Sequence, residues 1–160
     1  MRKFVASVFL VTVAMLAFAV VSFAGSRSTV WTAKLTVAQE VPKQVAKDTA
    51  ASGSFTGTVT GTKLKFTLTF SKLTGAATTA HIHVGAMGVA GNVLVPLCSG
   101  ATASSSSTTA AHSCKSPATG TIQLTSTVIS ALTKDFAKHL LYVNVHTVKN
   151  PNGEIRGQLG

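Results

Sequence analysis

Between Lys63 and Phe70 every second residue is large and apolar: Leu64, Phe66, Leu68 and Phe70 alternate with Lys63, Lys65, Thr67 and Thr69. A helix would spread these side chains around its circumference, whereas a strand puts all four on one face. Gly61-Thr62 just before is a two-residue turn, and the threonine-rich run Gly53 to Thr60 alternates on its other side, so the pair reads as a β-hairpin. Similar short runs recur along the chain, over Val30 to Val37 (with the only tryptophan, Trp31), Thr79 to Val84, Asn92 to Leu97, Gly120 to Thr125, Leu141 to Thr147 and Glu154 to Leu159. Turn and breaker residues separate them. Pro42 ends the first, since proline cannot continue a ladder, and Lys149-Asn150-Pro151-Asn152-Gly153 precedes the last. The period changes only once. Ile129, Leu132, Phe136 and Leu140 recur at three- and four-residue intervals, which predicts one short helix with Ser126 or Thr127 as its N-cap. Seven or eight short strands and one helix predict an all-β domain, a β-sandwich or a barrel.

The chain begins as an export signal does. Arg2 and Lys3 are followed by an apolar run from Phe4 to Val21 and by small residues at Ser22 and Ala24. Cleavage is expected after Ala24, leaving a β domain over residues 25–160; the alternative is an uncleaved membrane anchor. Nothing after residue 25 is apolar enough to span a bilayer. Removing Arg2 and Lys3 takes the formal charge from +10 to +8, and the only acids are Glu40, Asp48, Asp135 and Glu154. The lysines are scattered and not interleaved with aromatics, which argues against a nucleic-acid groove. The expected location is secreted, periplasmic or extracellular, with an extracellular protein or a surface polymer as partner. In such an oxidising compartment Cys98 and Cys114 are expected to form a disulfide rather than a pair of thiolate ligands. They close a loop of low complexity, rich in Ser, Thr and Ala, that contains His112.

The histidines carry the most chemical information. His81 and His83 share one strand face, with Ala80, Ile82 and Val84 on the other. Same-face neighbours lie about 6–7 Å apart at Cα, near enough for two imidazoles to meet at one ion. In the later strand, Leu141, Val143 and Val145 face one way, and Tyr142, Asn144 and His146 the other. If both strands bury their aliphatic faces, His81, His83 and His146 stand together on the outer face of the sheet. Three neutral imidazoles suit copper or zinc and leave a coordination position open. His112 and His139 are weaker candidates, and His112 is expected to be solvated in its loop. Asn144, Tyr142 and Arg156 are expected to support the ligands. Glu154 and Arg156 alternate on one face and could pair with each other or with Glu40, or Arg156 could instead guard an anion site beside the metal. No Ser-His-Asp arrangement can be built, and no catalytic residue is assigned. The glycines at 85, 88 and 91 are not followed by a helix, so they make turns rather than a phosphate loop.

Four motifs together resemble the CHRD domain, a module named after chordin and found in secreted microbial proteins. They are Gln39-Glu40-Val41-Pro42; Ala80-His81-Ile82-His83 with Gly85, Gly88 and Gly91; Tyr142-Val143-Asn144-Val145-His146-Thr147; and Asn150-Pro151-Asn152-Gly153-Glu154-Ile155-Arg156-Gly157-Gln158-Leu159. Two positions depart from the family pattern. Lys43 stands where a second proline is usual, and Lys138-His139-Leu140-Leu141 lacks a glycine usual before the tyrosine motif. The resemblance implies an extracellular all-β domain of immunoglobulin-like kind. A looser similarity, of His-x-His on one strand and Val-x-Val-His on another, is to the copper ligands of Cu/Zn superoxide dismutases, which also use a β-sandwich or Greek-key barrel. Two functions are therefore open. One is a secreted binding or structural module that holds copper or zinc. The other is a copper-dependent redox enzyme of superoxide-dismutase type, which the lack of a zinc-loop histidine cluster disfavours.

Overall fold

The computed structural model describes residues 28–43, 50–100 and 112–160. The expected leader, Asp48 and most of the Ser/Thr/Ala-rich segment lie outside the described residues. Nine strands and one helix follow in order: β1 Thr29–Thr36, β2 Ser52–Thr60, β3 Lys63–Ser71, β4 Ala77–Val84, β5 Val93–Ser99, β6 His112–Ser113, β7 Ala118–Gln123, α1 Ser126–Phe136, β8 Leu141–Thr147 and β9 Ile155–Gln158. A single 3-10 turn, Val37–Gln39, follows β1. The strands form one sheet in the order β6-β5-β4-β8-β9-β1-β2-β3-β7. Only the short β5–β6 pairing is parallel.

The β2–β3 hairpin forms as its alternation predicts. Thr60 faces Lys63 across the turn and the ladder continues to Ser52 opposite Ser71. Leu64, Phe66 and Leu68 are buried while Lys63, Lys65 and Thr67 face solvent. Each such side chain removed from water is worth about 1.5–3 kcal/mol. They join Trp31, Leu35, Phe55, Ile82, Leu97, Val143, Val145 and Ile155 in one core enclosed by the sheet. The sheet curls until its edges nearly meet. On β6, the His112 ring lies edge-on to Phe66, with centroids 5.5 Å apart. It also lies over Gly120 of β7, where a Cβ would be 2.4 Å from its Nε2. His112 is thus half-buried at the barrel seam, not solvated in a loop. Cys98 of β5 and Cys114, just past β6, form the expected disulfide with Cα atoms 5.1 Å apart.

Helix α1 covers the barrel beside Trp31. Its N-cap is Thr125, one residue before the expected position, whose Oγ1 accepts from the Val128 N–H at 3.3 Å. Leu132 is buried, and Phe136 stacks on Trp31 with centroids 4.9 Å apart. The helix ends where the usual glycine is missing. His139 takes the left-handed conformation itself, with φ 55°. The Leu140 N–H then reaches the Asp135 carbonyl and the His139 N–H that of Phe136, both at 2.9 Å, a Schellman ending.

Strand β8 lies between β4 and β9, and its outward side chains depart from simple alternation. Tyr142 and Asn144 point away from the barrel core yet are 2% and 3% exposed. The 85–91 loop, the turn after β8 and the segment around Glu40 roof this face through hydrogen bonds to Tyr142, Arg156, His146 and Asn144.

Candidate metal centre

β4 and β8 are hydrogen-bonded neighbours, with His81 opposite Asn144, His83 opposite Tyr142 and Thr79 opposite His146. Directly opposed residues project to the same side of a sheet. This register therefore puts His146 diagonally beside His81 and brings all three histidines to the outer face. One nitrogen from each lies within 4.8 Å of the other two. His81 and His146 are half-buried and His83 is buried.

The other ring nitrogens decide which atoms are free. His83 Nδ1 is 3.0 Å from the Gly91 carbonyl, and His146 Nδ1 is 3.0 Å from the Pro151 carbonyl. A carbonyl only accepts, so both Nδ1 atoms carry the proton and both Nε2 atoms present a lone pair. His83 Nε2 is buried without a hydrogen-bond partner. His146 Nε2 lies 3.3 Å from His81 Nδ1. Two ligands on a tetrahedral ion with bonds of about 2.0–2.1 Å are roughly 3.3 Å apart, so this pair already has the required spacing. Bringing in the third needs a shift of about 1–1.5 Å, on the scale of an imidazole rotation. A proton on His81 Nδ1 bridges to His146 Nε2; His81 and His146 would hold an ion in place of that proton.

Burial keeps the imidazoles neutral. Desolvation, with His146 and His83 nearby, pushes His81 down to about 4. Desolvation also lowers His83, with the Gly91 hydrogen bond opposing and Arg156 assisting. His146 is lowered by desolvation too, against its bond to Pro151. Neutral imidazole is the form that binds metal.

The supporting residues hold the ligand carbonyls in place. Tyr142 stacks on His83 with centroids 4.9 Å apart and planes 11° apart, while the Arg156 guanidinium carbon lies 3.5 Å from the Tyr142 ring centroid. Arg156 donates to the Val89 and Ala86 carbonyls at 2.9 and 2.8 Å. Tyr142 Oη accepts from the Gly91 N–H at 3.0 Å. These contacts fix the loop whose Gly91 carbonyl orients His83. Gly91 must be glycine, because a Cβ there would sit 1.6 Å from the Val84 carbonyl oxygen. Arg156 is 1% exposed and makes neither the ion pair nor the open anion guard considered from the sequence.

Comparison with known families follows this geometry. A model of the CHRD domain matches residues 31–159. The chain belongs to the CHRD domain family. No curated protein and no solved structure matches it. In this CHRD domain the four motifs, spread from residue 39 to residue 159, converge on one face. The second and third supply the histidines, the fourth supplies Pro151 and Arg156, and the first brings Glu40 beneath Asn144. His112 at the seam and His139 at the helix end take no part. Among the described residues the three histidines form the one group of His, Cys, Asp or Glu able to share an ion.

Glu40 and Asn144 were not paired in the sequence reading. Asn144 Nδ2 donates to Glu40 Oε2 at 3.4 Å, and Gly153 packs on both, so close that a Cβ would lie 2.4 Å from the amide. Glu154 has a separate set of partners. It accepts from the Thr74 N–H and hydroxyl at 2.6 and 2.8 Å, from the Thr147 hydroxyl at 2.6 Å and from Asn150 Nδ2 at 2.8 Å. The signal available was composition: with four acids in the chain, two of them inside motifs, each was a candidate for a buried role.

Proposed function

We infer that this CHRD domain is an exported module that binds one copper or zinc ion through His81, His83 and His146. The observation that carries the reading is that one nitrogen from each of the three histidines lies within 4.8 Å of the other two, with the protons of His83 and His146 held on Nδ1 by the Gly91 and Pro151 carbonyls. Arg156, Tyr142 and Asn144 act behind the ligands. Export with cleavage after Ala24 is supported by the n-region and apolar run. The Cys98–Cys114 disulfide supports an oxidising compartment. The excess of basic residues supports an extracellular partner bearing negative charge.

A second reading is a copper-dependent redox enzyme related in architecture to superoxide dismutases. It is favoured by the same outward His-x-His strand beside a third histidine strand, and by the coordination position that three ligands leave open. A binding and structural role fits better, because the described residues offer no second ligand cluster.

The test is metal content and melting temperature after purification with copper or zinc supplied. One equivalent of metal per chain, and a melting temperature lowered by chelator, is the expected result. Metal-free protein, unmoved by either ion, overturns the reading.

A further inference from the structure

Two buried polar atoms beside the histidines lack a hydrogen-bond partner: Glu40 Oε1 and Asn144 Oδ1. They belong to the two side chains that already share the Asn144 Nδ2 to Glu40 Oε2 bond. An ionised carboxylate offers only acceptors, so it leaves both atoms unpaired. A carboxylic acid facing an amide forms two hydrogen bonds, amide N–H to acid oxygen and acid O–H to amide oxygen. One proton on Glu40 Oε1, shared with Asn144 Oδ1, therefore satisfies both orphans at once. Leaving both unpaired in the interior would cost roughly 1–3 kcal/mol for each group.

We propose that Glu40 is held as a neutral carboxylic acid bonded to Asn144, and that a cation loaded on His81, His83 and His146 drives that proton off. The second half rests on the metal reading given above. The chain of contact is short. Asn144 stands opposite His81 on β4 and opposite Arg156 on β9, and Glu40 lies against its amide.

The surroundings of Glu40 hold it near its switching point. Glu40 is 1% exposed. Desolvation raises it to about 7, opposed by Arg156, by the Asn144 amide and by the Val41 N–H, and aided by the charge of Glu154. Arg156 donates to the Ala86 and Val89 carbonyls rather than to Glu40. The histidines on β4 and β8 are neutral and add no charge until an ion arrives. A divalent ion there introduces a positive field across a low-dielectric path and favours the carboxylate.

The proton balance is specific. Burial shifts all three imidazoles toward the neutral form, which would bind an ion through lone pairs, with the His81 proton moving to its other nitrogen. Any proton the histidines release is common to wild type and a variant at Glu40, so the difference between the two counts Glu40 alone. One proton leaves Glu40 for solvent and none is taken up. Water bound to zinc can also ionise near neutral pH, so the measurement needs a variant that removes Glu40 alone. Glu40→Gln serves, because an amide facing Asn144 keeps both hydrogen bonds and mimics the acid form.

The experiment has two arms on the full mature chain. In the first, the stability of metal-free wild type and Glu40→Gln is followed from pH 5 to pH 9 by urea denaturation. A raised carboxyl contributes stability that is complete below its unfolded value near 4.5 and lost as pH rises to the folded value, so wild type should weaken relative to the variant as pH rises from 5 to about 7 and then run parallel to it. Superimposable profiles overturn the acid–amide pair. In the second arm, zinc is titrated calorimetrically at pH 6.5 in buffers of different ionisation enthalpy, which counts released protons. Wild type should release roughly half to three-quarters of a proton more per ion than Glu40→Gln, with affinities within tenfold. Equal counts overturn the coupling. Absence of zinc and copper binding by wild type overturns the metal reading and the coupling together, and the first arm still decides the protonation of Glu40 by itself.

Discussion

Glu40 and Glu154 are equally buried, each 1% exposed, and the protein treats them in opposite ways. Glu154 gathers four donor contacts from Thr74, Thr147 and Asn150. Desolvation works against its charge, but these hydrogen bonds outweigh it and lower its pKa. Glu40 has one long side-chain bond, from Asn144, beside the Val41 N–H, and desolvation dominates. Equal exposure therefore does not fix the charge of a carboxyl: Glu40 lies deeper in the protein and has fewer donors aimed at it than Glu154, and both differences push its charge the same way. Glu154 pins the turn that carries Pro151 and so positions His146. Glu40 lies against Asn144, the residue opposite His81, in a setting that can change its charge.

The same substitution should break the two sites unequally. Glu154→Gln points an amide N–H₂ at hydroxyl and amide donors, whichever way it is turned. We expect a loss of about 3 kcal/mol in urea denaturation at pH 7. Glu40→Gln should stay within about 1 kcal/mol of wild type at pH 6, since both bonds to Asn144 persist. Similar losses in the two variants would erase the distinction.

The histidines sharpen the contrast through pH. His81 falls from 6.5 to about 4 in the folded protein, and His83 and His146 shift the same way. The unfolded chain then takes up protons below pH 6.5 that the folded state refuses. Stability of the metal-free protein should be complete above pH 6.5 and decline as pH falls toward 4, the opposite slope to that of Glu40. Chelator-treated protein followed by circular dichroism across this range checks the sign. A single His81→Phe change should flatten the acid limb.

Smaller effects are expected farther from the ions. Arg156→Lys keeps a charge but loses the paired contacts to Ala86 and Val89 and the stacking on Tyr142, so metal binding should weaken about tenfold. An unchanged affinity would mean that the 85–91 loop does not orient His83. His139→Gly relieves the left-handed residue at the end of α1 and should raise thermal stability by up to about 1 kcal/mol, without altering metal binding.

Strand periodicity made much of this fold legible in the sequence. The β2–β3 hairpin and the shared face of His81 and His83 depend on neighbours one or two residues apart. The place of His146 depends on β8 pairing with β4, a contact 65 residues away in sequence. Alternation within each strand could not supply that pairing. The burial of Tyr142 and Asn144 was illegible for a similar reason: their face is polar by pattern and is covered by distant loops. Glu40 meets Asn144 across 104 residues, which no local rule reaches. His112 was misread because low complexity suggested a loop, while the space left by Gly120 admits its ring to the barrel seam.

The central claim is that three histidines from two strands hold one ion. The most direct measurement is calorimetric titration of zinc and copper into wild type, His81→Ala, His83→Ala, His146→Ala and His112→Ala at neutral pH. The account predicts one site in wild type and in His112→Ala, and binding weakened at least a hundredfold in each of the other three. Equal affinity in His81→Ala and His112→Ala would contradict it.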